Sequence, residues 1–157
     1  GGRPSTGQRR GCGRRGCRTL AAVAKPPIRL SLAWDGELRF TALSDRVPLV
    51  IDGASKAGPS PIEALALGLA GCMAVDVVDI LRKGRHEVRS LVANLSGDRA
   101  PEPPSRFTAV TLHFVVGTDA PTHAIERAIE LSHEKYCSVW HSMRQDIAFA
   151  TTFEVVA

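Results

Sequence analysis

The sequence contains no stretch approaching the roughly 20 consecutive apolar residues that a membrane-spanning helix needs, so no membrane partner is expected. It has no glycine-rich phosphate loop and no Gly-x-Ser-x-Gly elbow, which removes the usual frameworks of nucleotide and serine-hydrolase chemistry. It has no internal repeat. The first 25 residues hold no acid at all, while they carry Arg3, Arg9, Arg10, Arg14, Arg15, Arg18 and Lys25. Setting these 7 aside from the 20 basic residues leaves 13 against 16 acids, a net charge of −3 on the remainder. The formal +4 of the whole chain therefore belongs to its start, and the body lacks the basic field that nucleic acid selects.

Residues 1–27 are Gly/Arg-rich, a composition that cannot bury enough apolar surface to offset the entropy of ordering. They are expected to form a disordered extension, a transit peptide or nucleic-acid-binding arm being the rarer alternatives. Residues 28–157 then make one domain. Leu20 to Ala24 is too short for the apolar core of a secretory signal. A reducing, cytoplasmic compartment is therefore expected, where cysteines are more often catalytic or simply buried than structural disulfides. Cys12 and Cys17 lie in the tail without the further ligands a zinc site requires, and Cys72 and Cys137 lie in the body.

Alternation around Asp35-Gly36, from Leu30-Ser-Leu-Ala-Trp34 to Leu38, Phe40 and Ala42, predicts a β-hairpin turning at those two residues. Val47 to Ile51 is a third short apolar run. Ser60-Pro61-Ile62-Glu63 then offers a cap serine, a proline at the first helical position and a glutamate at the third, the pattern of a capping box. The apolar residues Ile62, Leu65, Leu69, Cys72, Met73, Val77, Ile80 and Leu81 continue it to Lys83-Gly84, a helix of about 22 residues expected to be central and buried. Strands are expected over Val88–Gly97, Phe107–Val116 and Ala148–Val156, with Val110, Leu112, Phe114 and Val116 on one face. An amphipathic helix opens at Pro121, and a short one runs from about Val139 to Gln145. Segregated strands and helices of this kind indicate an α+β fold, an antiparallel sheet packed on helices.

Two residues stand out chemically. Cys72 lies within small neighbours, Gly68, Ala70 and Gly71, that allow another element to approach closely, although a buried free cysteine also serves as a small hydrophobe. Cys137 follows Lys135, a cation able to lower a thiol pKa where it faces the sulfur. His133, Cys137 and His141 would share one face of an unbroken helix and resemble a metal site. They make only three ligands, however, and the helix is expected to break near Cys137, so no metal or cofactor is expected.

The stretch Gly58-Pro-Ser-Pro-Ile-Glu-Ala-Leu-Ala-Leu-Gly-Leu-Ala-Gly-Cys72 strongly resembles the OsmC/Ohr family of osmotically inducible and organic hydroperoxide resistance proteins. Leu131-Ser-His-Glu-Lys-Tyr-Cys-Ser-Val139 is similar to the YhfA-like branch of that family. The resemblance covers about residues 28–157. It implies an OsmC-like fold in an intertwined homodimer, with a thiol site at the dimer interface. It also implies a thiol-dependent peroxidase in oxidative-stress defence, with Cys72 attacking an organic hydroperoxide and Cys137 resolving the sulfenic acid as a disulfide. A dithiol reductant such as a lipoylated protein would restore the pair. In better-studied members a glutamate directly after the helix-opening proline pairs with an arginine that activates the thiol, and here that position is Ile62. Glu63 stands one residue on, about 180° around the helix from Cys72 at 100° per residue. Arg39 and Arg46 are the candidates for the arginine. The alternative is an OsmC-fold protein without peroxidase activity that binds a small apolar ligand at the dimer interface.

Overall fold

The computed structural model describes residues 28–43 and 48–156. Three short strands come first: β1 (Ser31–Gly36), β2 (Arg39–Leu43) and β3 (Val50–Asp52) form an antiparallel meander. The β1–β2 turn falls on Glu37-Leu38, two residues beyond its expected place. Gly36 has φ +105°, a backbone state open to glycine, and the register shifts between Trp34 and Gly36. That irregularity carries the chain past Asp35 before it reverses, and the Asp35 carboxylate accepts a hydrogen bond from the Thr41 hydroxyl across the pair.

Asp52 ends β3 and organises the next loop. Its buried carboxylate accepts the N–H groups of Ala54, Lys56 and Ala57, and its N–H donates to Pro59 O at 3.0 Å. Gly58 passes so close to β3 that a Cβ there would lie 2.3 Å from the Val50 carbonyl oxygen.

The loop delivers the chain to α1 (Pro61–Lys83), whose N-terminus is closed by the capping box. Glu63 reaches back to accept the Ser60 N–H at 2.7 Å and the Ser60 hydroxyl at 2.6 Å. An 18-residue window of α1 has mean hydropathy 2.0, so by length and composition alone this helix is apolar enough to cross a membrane, contrary to the expectation for the chain. Its buried stripe, Leu69, Ala70, Met73, Val77 and Leu81, packs instead against a second sheet and α2. The burial is one-sided. Leu67 and Val75 remain 62% and 68% exposed, so the single chain covers only part of the helix expected to be buried all round.

The second sheet is β4 (Val88–Arg99), β5 (Phe107–Thr118) and β6 (Ala148–Val156), in that order. Val110, Leu112, Phe114 and Val116 of β5 are buried on one face, as their alternation predicts. They meet α1 and the Ile125, Ala128 and Ile129 stripe of α2 (Thr122–Leu131) in one core. Burying each such side chain contributes about 1.5–3 kcal/mol. β4 and β5 are antiparallel, but β5 and β6 run parallel, so the sheet is mixed rather than purely antiparallel. The cause lies in the connection: α2 and the helical turns after it form the crossover that a parallel pair requires. The last of these, α3, spans Ser138–His141, ending short of Gln145. The Gln145 amide donates to the carbonyls of Trp140 at 3.0 Å and Met143 at 2.9 Å, closing the turn that leads into β6.

Candidate active site

The site forms where α2 runs out against the middle of α1. Instead of ending at Leu131, the helix widens into a one-turn π-helix, Ser132–Tyr136, in which the Cys137 N–H donates to Ser132 O at 2.8 Å. Such a turn accommodates one more residue than an α-turn and changes which side chains face the neighbouring element. Ser132 is fully buried, and its hydroxyl donates to Oδ2 of Asp76 on α1 at 2.8 Å. Asp76 lies one turn beyond Cys72, so this bond pins the π-turn beside the cysteine.

At Cys137 the backbone becomes extended, with φ −67° and ψ 94°, and α3 begins. The Cys137 sulfur caps that short helix by accepting the Trp140 N–H at 3.3 Å. The residue is fully buried, and Cys72 packs against the core it belongs to, close enough to influence its titration. Burial chiefly, and then the hydrogen bond and charge of Cys72, push the Cys137 thiol up to about 11, while the N–H groups of Trp140 and Val139 pull the other way. Cys72 is half-buried, and its Sγ stands 3.9 Å from the Ser138 hydroxyl oxygen. Two cysteines 65 positions apart in sequence thus meet across α1 and the π-turn, one partly open to solvent and the other enclosed.

The remaining candidates do not converge there. Among the described residues, no hydrogen bond or ion pair joins Glu63 or Arg39 to Cys72. Glu63 caps α1, and hydrogen bonds from the Ser60 hydroxyl, the Ser60 N–H and the Ser55 hydroxyl hold its carboxyl below the usual range. Arg39 stands opposite Asp52 in the β2–β3 register and contributes to keeping that carboxylate ionised, after the N–H groups of the loop. Arg46 lies outside the described residues. Lys135 is not among the main influences on the Cys137 pKa, and its ammonium lies 5.3 Å from the centre of the Tyr136 ring. His133 is stacked with Phe149 and tilted against Trp140, at ring separations of 5.0 and 5.2 Å. Among the described residues, no three His, Cys, Asp or Glu side chains are grouped to hold a metal.

Ser132, Asp76 and Ser138 do not stand out in the sequence as members of a site. Asp76 carries a signal, being one of few acids in a largely apolar helix and four residues from Cys72. Neither serine carries one, because only the π-turn brings its hydroxyl to α1. Near the start of α1, Ile62, Glu63, Ala66, Leu67, Leu95 and Phe107 help to line an open groove of about 990 Å³, and Cys72 is not part of its wall.

A family model described as OsmC-like protein matches residues 53–152. Protein YhfA of Escherichia coli strain K12 is 41% identical over 111 residues, 69% of this chain and 83% of YhfA. A hypothetical protein from Aquifex aeolicus, solved as a crystal structure, superposes with a TM-score of 0.77 at 27% identity, covering 84% of this chain and 98% of that one. An organic hydroperoxide resistance protein from Legionella pneumophila shares the fold, with a TM-score of 0.63 over 83% of this chain and all of the other (100%), at 14% identity.

Proposed function

This chain belongs to the OsmC-like protein family, and we propose that it works as a thiol-dependent peroxidase reducing organic hydroperoxides. The observation that carries this reading is the meeting of Cys72 and Cys137, two thiols of opposite accessibility on separate elements. The Cys72 thiolate attacks the outer oxygen of a hydroperoxide, the O–O bond breaks, and the leaving alkoxide takes a proton to become the alcohol. Cys72 is then a sulfenic acid. Cys137 attacks its sulfur, the Cys137 proton and the departing hydroxide leave as water, and a disulfide remains. One of the influences that raise the Cys137 pKa is the charge of Cys72, and it vanishes once Cys72 is a neutral sulfenic acid. Oxidation of one thiol thereby readies the other. An external dithiol, a lipoylated protein being the expected kind, returns both to thiols.

The domain in this reading spans residues 28–157, with residues 1–27 as a basic extension, and it acts in the cytoplasm as an intertwined homodimer. Support for the dimer comes from apolar surface that one chain leaves open. Trp34 is 67% exposed on the N-terminal meander, and Leu32 and Leu38 beside it are also exposed, as are Leu67 and Val75 on α1. Large apolar side chains left exposed in this number are what an interaction surface would cover.

The test is thiol counting after treatment with tert-butyl or cumene hydroperoxide, with Cys72→Ser and Cys137→Ser beside the natural chain. A Cys72–Cys137 disulfide lost in both variants is expected. Thiol consumption no faster than that of free cysteine would refute the peroxidase. A second reading, a binding protein for a small apolar ligand, is favoured by Ile62 at the wall of the groove in place of a glutamate. Under it, both serine variants retain whatever ligand the natural chain holds.

A further inference from the structure

Among the described residues, no arginine, lysine or histidine forms a hydrogen bond or ion pair with the Cys72 sulfur. Several charged groups on the elements packed around it are engaged elsewhere. Asp76 accepts the Ser132 hydroxyl, and Asp79 pairs with Lys83 at 2.6 Å. Arg127 pairs with Glu130 and Glu134, and Lys135 lies over the Tyr136 ring. A reactive thiolate nevertheless needs a donor or a cation beside it. The side chain that meets Cys72 from the facing element is Ser138, at 3.9 Å, within hydrogen-bonding range for sulfur.

We infer that Ser138 is a catalytic residue of this site, its hydroxyl donating a hydrogen bond to the Cys72 thiolate. The inference rests on Cys72 being the reacting thiol. The hydroxyl is held in place by its backbone. The Ser138 carbonyl accepts the Ser142 N–H at 3.1 Å and the Ser142 hydroxyl at 2.7 Å. The residue before it is anchored twice, through the Cys137 N–H on Ser132 O and the Cys137 sulfur on the Trp140 N–H. Ser132 is in turn bonded to α1 through Asp76, so the serine is carried on a chain of contacts that ends on the helix bearing Cys72. Among the described residues, Ser138 Oγ has no other protein hydrogen-bond partner, which leaves its proton free to turn toward the sulfur.

The experiment follows alkylation of the reduced full-length chain by iodoacetamide as a function of pH, reading Cys72 by peptide mass spectrometry. The Ser138→Ala variant is expected to move the Cys72 midpoint up by about one pH unit, a tenfold loss of thiolate at pH below the midpoint. The Ser138→Thr variant keeps the hydroxyl and is expected to restore most of that shift. Ser138 is exposed, so the truncation empties no core space, and near-ultraviolet circular dichroism checks the fold. An unchanged midpoint in Ser138→Ala, or an equal shift in Ser138→Thr, would overturn the inference. No hydroperoxide enters the experiment. A chain that tunes Cys72 through Ser138 yet consumes no peroxide would sink the proposed reaction and leave this contact standing.

Discussion

Raising the pH of the reduced protein from about 8 to about 10.5 should destabilise it through Cys137, by an amount the site's geometry sets. The folded chain holds this thiol at about 11, against 9.0 for an ordinary one, with burial as the main cause. The folded value is the higher, so on raising the pH the unfolded chain loses the proton first. Stability from this group is therefore complete below about pH 9 and is lost as the pH climbs from there toward 11. With those two values the loss at about pH 10.5 is at most about 1.9 kcal/mol, and since Cys72 supplies part of the shift we expect on the order of 1–2 kcal/mol. Urea unfolding at the two pH values measures it, comparing the natural chain with Cys137→Ala. Alanine leaves a cavity whose cost does not depend on pH, so the stability gap between the two proteins should narrow at the higher pH by that amount. In a Cys72→Ser background the narrowing should shrink but persist, because burial of Cys137 remains. A gap that stays constant within about 0.3 kcal/mol, under a quarter of one pKa unit, would refute the raised thiol.

Two further outcomes test the frame that holds the site. Ser132→Ala removes the buried hydroxyl that Asp76 accepts and should cost about 1–3 kcal/mol in urea unfolding, with slower Cys72–Cys137 disulfide formation under a mild oxidant. Gly58→Ala puts a Cβ against the Val50 carbonyl, which cannot swing aside as a side chain does, and should cost about 1–3 kcal/mol, read as a lowered midpoint of thermal unfolding.

The features legible in the sequence are those that local chemistry decides. The capping box fixes the start of α1, and the period-two run of β5 fixes its buried face, because each depends on residues within one turn or one strand. The hairpin is legible as a pair but not in its turn, since the register shift before Gly36 depends on how β1 meets β2. The parallel pairing of β6 depends on where the crossover lands, and no alternation of Thr, Phe and Val encodes that. The candidate site divides in the same way. Both cysteines are visible as residue types in recurrent surroundings, but the carboxylate and hydroxyls beside them are brought there by a π-turn that no periodicity of 3.6 announces. Glu63 shows the opposite case. Its local role as a capping partner, readable from four residues, is the role the structure gives it.

The enclosure of Cys137 also bears on how an oxidised site is reopened. A disulfide between the two cysteines would offer solvent one sulfur only, that of Cys72. An incoming thiol must therefore form its mixed disulfide there and expel Cys137 as the leaving group. Thiols with high pKa values leave slowly, and one that burial in the folded interior pushes above the ordinary range is a poor leaving group. Single thiols should then be turned away more often than not. A reductant whose second thiol closes intramolecularly on the mixed disulfide would carry the exchange through, so the depth at which one sulfur sits selects the kind of molecule that can reset the other.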